Sequence, residues 1–270
     1  MEQSARQDTG LNAIAAMFAA AADDDRAAFL PYFPIGYPTY EQSIDAIALM
    51  ADADVDGFEI GIPFSDPLAD GPTIQAATQI ALENGTTLTT ALEAIRKLRQ
   101  RGVTQPMLMM GYLNPMLSYG IERFVKDAKA AGADGIICPD LPPDEAHLFA
   151  DVCAQENMAL VFLIAPNASD DRIRLVAETA TGFIYVVSLI GITGERQTIP
   201  PEVRDFIARI RTITDQPLVM GFGISRPEHA QMMTGLVNGF IVGSALVTAG
   251  KDGILPVRDL ARELREALDA

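Results

Sequence analysis

The chain has 270 residues, 49% of them hydrophobic, and its 20 Lys and Arg against 36 Asp and Glu give a formal net charge of −16. That is ample apolar material for a buried core, and the acidic balance repels phosphate backbones and anionic lipid, so nucleic-acid and membrane-surface binding are excluded as expectations. Cys138 and Cys153 are too few for a disulfide framework, no apolar run reaches the ~18 to 20 residues that cross a bilayer, and no signal-peptide pattern opens the chain, so the expected location is cytoplasmic.

Residues 11–22, LNAIAAMFAAAA, predict an extra apolar helix ahead of the first strand, placed to close the bottom of the fold. Short apolar or β-branched runs then recur at 28–34, 57–62, 106–111, 134–138, 158–164, 182–188, 217–221 and 238–242, which makes eight strands. The segments between them carry helical periodicity. Examples are Ile44, Ile47, Ala48 and Met50, then Leu92, Ile95 and Leu98, then Phe206, Ile207 and Ile210, each with charges on the other face. A βα unit repeated in this way, with nearly continuous apolar strands, predicts a parallel sheet covered by helices. At this length a closed (β/α)8 TIM barrel is favoured over an open doubly wound sheet. No linker rich in Gly, Ser or Pro divides the chain, so residues 1–270 are expected to form a single TIM-barrel domain.

Side chains in such a barrel alternate between the interior and the helix layer, and chemistry sits where the strands end. The second strand and its loop, residues 58–75, read FEIGIPFSDPLADGPTIQ. Glu59 has opposite parity to Phe58, Ile60 and Ile62, so it points into the barrel, where burial costs several kcal/mol unless the group is paired, hydrogen-bonded or protonated. Gly61, next on the same face, would leave space for a ligand. Pro63, Pro67 and Pro72 stiffen the loop and limit the orientations of Asp66 and Asp70. Alone, Glu59 would serve equally to cap a backbone group or pair with an interior cation. Two acids at one strand end instead suit proton transfer.

The sixth, seventh and eighth strands run into Gly191–Gly194, Gly221–Ser225 and Gly243-Ser244. Glycines on adjacent strand ends expose N–H groups, and a helix starting near Ser244 adds its dipole, so an anion such as phosphate can be held without lysine. Lys97, Lys126, Lys129 and Lys251 all lie away from strand ends, which removes a Schiff base or a pyridoxal-phosphate anchor. His147 and His229 lack neighbours at ligand spacing, so no metal is expected, and Met107, Met109 and Met110 read as core. An enzyme built from this set works with carboxylates, without a cofactor, on a substrate that brings its own electron sink.

The 58–75 run closely resembles the signature of the tryptophan synthase α-subunit family. PYFPIGYP at 31–38, MGYLNP at 110–115, PDLP at 139–142, YVVS at 185–188, GITG at 191–194 and GFGIS at 221–225 are similar to that family in its order. The resemblance implies a (β/α)8 lyase that splits indole-3-glycerol phosphate into indole and glyceraldehyde 3-phosphate. It further implies that indole passes to a pyridoxal-phosphate β subunit in an α2β2 assembly. Glu59 then matches the acid–base residue acting at ring carbon C3, and Asp70 the carboxylate that accepts the indole N–H. Thr193 matches the residue that orients Asp70 when the loop after strand six closes. Gly194, Gly223, Gly243 and Ser244 match phosphate contacts. Tyr32, Met110, Ile137, Leu163, Tyr185, Phe222 and Val242 match the indole pocket, with Tyr112 near the cleaved bond. Asp66 matches the side facing the β subunit, to which the loops after strands two, three and six also belong. Leu189 and Tyr32 stand where some members have arginine and phenylalanine. Rival expectations are a standalone lyase that releases indole, a non-catalytic activator of the β subunit, and a phosphosugar isomerase barrel.

Overall fold

The computed structural model describes residues 8–187, 199–221 and 223–269. Eight parallel strands close into a barrel in sequence order: β1 (Ala28–Pro34), β2 (Phe58–Gly61), β3 (Met107–Met110), β4 (Gly135–Ile137), β5 (Ala159–Ile164), β6 (Ile184–Val187), β7 (Leu218–Gly221) and β8 (Gly239–Val242). Around them run α1 (Leu11–Asp23), α2 (Tyr40–Ala51), α3 (Pro72–Glu83), α4 (Leu88–Gln100), α5 (Leu113–Tyr119), α6 (Ile121–Ala131), α7 (His147–Gln155), α8 (Asp170–Thr179), α9 (Pro201–Arg211), α10 (Pro227–Gln231), α11 (Ser244–Ala249) and α12 (Ile254–Glu266). The expected (β/α)8 barrel with an extra N-terminal helix is the observed fold. None of the described helices is long and apolar enough to cross a membrane.

Strand identity follows from two-sided burial. Phe58 and Ile60 of β2 are fully buried under the helices while Glu59 takes the interior parity, in register with Tyr32 of β1 and Leu108 of β3. The helices bury the stripes read from the sequence: Ile44, Ile47 and Met50 on α2, Leu92, Ile95 and Leu98 on α4, and Phe206, Ile207 and Ile210 on α9. The starts of α2, α4 and α8 are set by side-chain caps. Thr39 accepts from the Gln42 N–H, Thr87 and Thr90 form a reciprocal capping box, and Ser169 accepts from the Arg172 N–H, each worth about 1 kcal/mol. Between β3 and β4 the helix layer is doubled, because Gly120 at φ +93° breaks the run into α5 and α6.

The bottom of the barrel is sealed. Side chains of α1 press on glycines at the starts of three strands: a Cβ on Gly57 would stand 2.8 Å from Met17 Sδ, on Gly239 3.3 Å from Phe18, and on Gly182 3.6 Å from Ile14. The Gly10 N–H, just ahead of α1, donates to Asp134 Oδ1 at 2.7 Å. Fully buried Asp134 also accepts from the Arg99 guanidinium at 2.8 Å and the Met107 N–H at 3.0 Å. At the starts of β1 and β2 Arg26 makes a bidentate pair with Asp56 at 2.7 and 2.8 Å, and Asp56 accepts the Phe29 N–H at 2.7 Å. With the bottom filled, space remains at the C-terminal ends of the strands.

Candidate active site

That space is a cavity of about 430 Å³, the size of a small-molecule site. Tyr32, Glu59, Met110, Ile137, Leu163 and Tyr185 form its walls, and Gly223, Gly243 and Ser244 lie at one side. Asp70 and its neighbours Leu68 and Ala69 close it from the loop after β2. The described lining contains no lysine or arginine. The wall positions come from strand parity, since every second residue of neighbouring strands faces inward.

Glu59 is 3% exposed, and its carboxyl receives no hydrogen bond from the described residues. Burial, with a second contribution from the charge of Asp70, pushes its pKa up to about 8. Asp70 is pushed up to about 6 by burial, against the opposing effect of the Tyr112 hydroxyl, which donates to Oδ2 at 3.0 Å. The asymmetry has a simple origin. Asp70 ionises first, so its charge is present when Glu59 titrates, whereas Glu59 is still neutral when Asp70 titrates. Near neutral pH the pair is therefore one proton donor beside one carboxylate, the split arrangement that acid–base chemistry needs. Tyr32 and Tyr185 remain neutral phenols, raised well above the usual tyrosine range mainly by burial.

At the far side of the cavity Gly223 has φ +68°, and Gly243 precedes α11, whose first N–H groups lack intrahelical partners. A Cβ on Gly243 would come within 3.3 Å of the Tyr32 ring, so backbone is brought to the cavity surface where a side chain would crowd it.

Three expectations are corrected. The room expected above Gly61 is taken by Tyr32, whose hydroxyl would lie 2.5 Å from a Cβ placed there. Val242 is buried outside the cavity wall: on β8 it is Ile241 that faces in, while Phe240, of Val242's parity, stacks on Phe29 of β1 in the outer layer at 5.1 Å. Tyr112 stands behind Asp70, packed on Phe64 with ring centroids 5.3 Å apart, rather than in the cavity wall. Asp66 is exposed on the same loop and accepts from the Ser65 hydroxyl. Thr193, Gly194, Phe222 and Leu189 lie outside the described residues. Ile74, Pro139, Val187, Ile224 and Ile241 line the cavity without having been expected there, because their sequence signal is that of any core aliphatic or turn proline.

A model of the family described as tryptophan synthase alpha chain matches residues 18–266. The tryptophan synthase alpha chain of Chloroflexus aggregans is 46% identical over 237 residues, covering 88% of this chain and 89% of that relative. Tryptophan synthase of Mycobacterium tuberculosis superposes with a TM-score of 0.90 at 33% identity, over 97% of this chain and 100% of that one. The tryptophan synthase subunit alpha of Legionella pneumophila gives a TM-score of 0.87 at 31% identity, over 95% of this chain and 98% of that one. Likeness of this extent in sequence and in fold leaves one assignment, and the chain belongs to the tryptophan synthase alpha chain family.

Proposed function

We propose that Glu59 and Asp70 divide the work of cleaving indole-3-glycerol phosphate, the lyase reaction of this family. The indole ring lies between Tyr32, Met110, Ile137, Leu163 and Tyr185, its N–H donating to ionised Asp70. Protonated Glu59 delivers its proton to C3, which places positive charge on the ring beside the Asp70 carboxylate. Glu59, now a carboxylate, takes the proton from the adjacent glycerol hydroxyl as the carbon–carbon bond breaks. The bonding electrons return to the ring, and indole and glyceraldehyde 3-phosphate leave with Glu59 protonated again. The ring itself is the electron sink, so the scheme asks nothing of a cofactor. Gly194, Gly223, Gly243 and Ser244 hold the phosphate through backbone groups and the start of α11, Thr193 orients Asp70 when the loop after β6 closes, and Phe222 adds to the indole pocket.

The observation that carries this reading is two carboxyls facing one cavity, Asp70 held by the Tyr112 hydroxyl and Glu59 buried without a donor among the described residues, a setting that keeps the proton on Glu59 rather than on Asp70. The partner is read as a β subunit in an α2β2 assembly. Leu68, 94% exposed beside Asp66 and Asp70, and Leu117, 49% exposed on α5, place apolar surface on the loops after β2 and β3. We take residues 1–270 as one catalytic barrel. The buried free thiols of Cys138 and Cys153 agree with a cytoplasmic location.

The test is to incubate the purified chain with indole-3-glycerol phosphate, alone and with a β subunit, and to measure indole and tryptophan. Indole release that rises steeply with the partner is expected. Equal rates with and without it would favour the standalone lyase, and no cleavage in either arm would leave a non-catalytic activator.

A further inference from the structure

We propose that Tyr112 is a positioning residue whose hydroxyl fixes the Asp70 carboxylate and the adjoining backbone together, so that the start of α5 sets the aim of the ring-facing acid. The proposal rests on the role given to Asp70 above. A phenol has one proton to donate and accepts through its oxygen. The Ala69 N–H donates to Tyr112 Oη at 3.0 Å, which fills an accepting position and leaves the phenol proton for Asp70 Oδ2, also at 3.0 Å. The direction of both bonds is thereby fixed.

Tyr112 is itself well held. It is 3% exposed, its ring packs on Phe64, and the following residue, Leu113, donates its N–H to Asp140 Oδ1 at 2.9 Å. On the other side, the Gln75 side-chain amide donates to the Asp70 carbonyl at 2.8 Å. The Asp70 backbone is therefore anchored independently, and the carboxylate is the part left for Tyr112 to orient. The titratable groups facing Asp70 are Glu59 on β2, Tyr32 on β1, Tyr185 on β6 and Tyr112, while Asp140 faces Tyr112. Where Asp70 ionises, Glu59 and the three phenols are neutral, so among the described residues the Tyr112 hydrogen bond is the contact that favours the carboxylate. Its loss makes Asp70 harder to ionise and frees its side-chain torsions.

Tyr112→Phe keeps the ring and its packing and removes the proton. Two readouts separate positioning from packing. The Asp70 carboxyl, followed by carbon-13 NMR titration, should move its midpoint upward by about 1 pH unit, and kcat should fall about 10- to 100-fold, as for loss of one hydrogen bond to a charged group. In an Asp70→Asn background the same change should cost far less, because the group it acts through is gone. Tyr112→3-fluorotyrosine, a stronger donor of nearly the same shape, should move the midpoint down. An unmoved Asp70 midpoint in both Tyr112 variants, or an equal loss of kcat in both Asp70 backgrounds, overturns the proposal. Wild-type turnover in Asp70→Asn alone would instead overturn the role of Asp70, and the titration would still report whether Tyr112 holds it.

Discussion

Glu59→Gln should make the enzyme nearly inactive and, above neutral pH, more stable. The carboxyl has its pKa raised from 4.5 to about 8 by burial and by Asp70. At about 1.36 kcal/mol per unit this corresponds to about 2 to 5 kcal/mol of folding free energy, the lower figure allowing for local relaxation and water entry. The sign follows from proton counting. Below 4.5 both folded and unfolded chains hold the proton and there is no penalty. Between 4.5 and about 8 the unfolded chain has released it while the folded chain keeps it, so wild-type stability falls as pH rises. Above about 8 both are ionised and the full penalty stands. Glutamine does not titrate. The stability gap between variant and wild type should therefore be under about 1 kcal/mol at pH 5 and reach its full size by pH 8.5, while turnover falls by about 10² to 10⁴ throughout. Urea unfolding of both proteins at the two pH values reads the gap directly. A gap that stays constant with pH would show that Glu59 is solvated or paired, and the acid assigned to C3 would have to be sought elsewhere.

Two further outcomes follow from the same geometry. The pH dependence of kcat/KM should be bell-shaped, rising as Asp70 ionises near 6 and falling as Glu59 loses its proton near 8, with both limbs belonging to the pair. A profile that rises monotonically from pH 5 to 9 would rule out Glu59 as the proton donor. Gly61→Ala should destabilise the fold by about 1 to 3 kcal/mol, since the new Cβ falls 2.5 Å from the Tyr32 hydroxyl and 2.8 Å from its ring carbon Cζ. Adding Tyr32→Phe should restore part of that loss in thermal unfolding, and an additive double variant would count against the contact.

The barrel was legible because its signals are local. Apolar runs of strand length alternate with helical stripes, and the inward parity of Glu59 follows from Phe58 and Ile60 alone. Parity could also have corrected Val242, since Gly239, Ile241 and Gly243 share one phase of β8 and Val242 falls in the other. What was not legible depends on contacts distant in the chain. Tyr112 meets Asp70 across 42 positions, and Arg99 meets Asp134 across 35. Nothing in the spacing of those residues foretells that the barrel closure sets them side by side. The cavity walls were only partly legible for another reason: Ile241, lining the site, and Ile60, packed under the helices, are the same residue type in the same kind of strand.

Asp134 and Glu59 show how one chain treats a buried carboxylate in opposite ways. At the barrel bottom Asp134 is surrounded by donors, with Gly10, Arg99 and Met107 satisfying both oxygens, and the charge becomes part of the packing that fastens the N-terminal segment under the strands. Removing Asp134 would leave those donors unmet, a loss on the scale of broken buried ion pairs. Glu59, two strands over and facing the cavity, is given no donor by the described residues and an acidic neighbour instead. The arrangement is destabilising, and the fold tolerates it because the helix stripes and the satisfied bottom supply stability independently of the mouth. A carboxyl left unsatisfied in this way keeps its proton at neutral pH, and in the proposed reaction that retained proton is the one delivered to the ring.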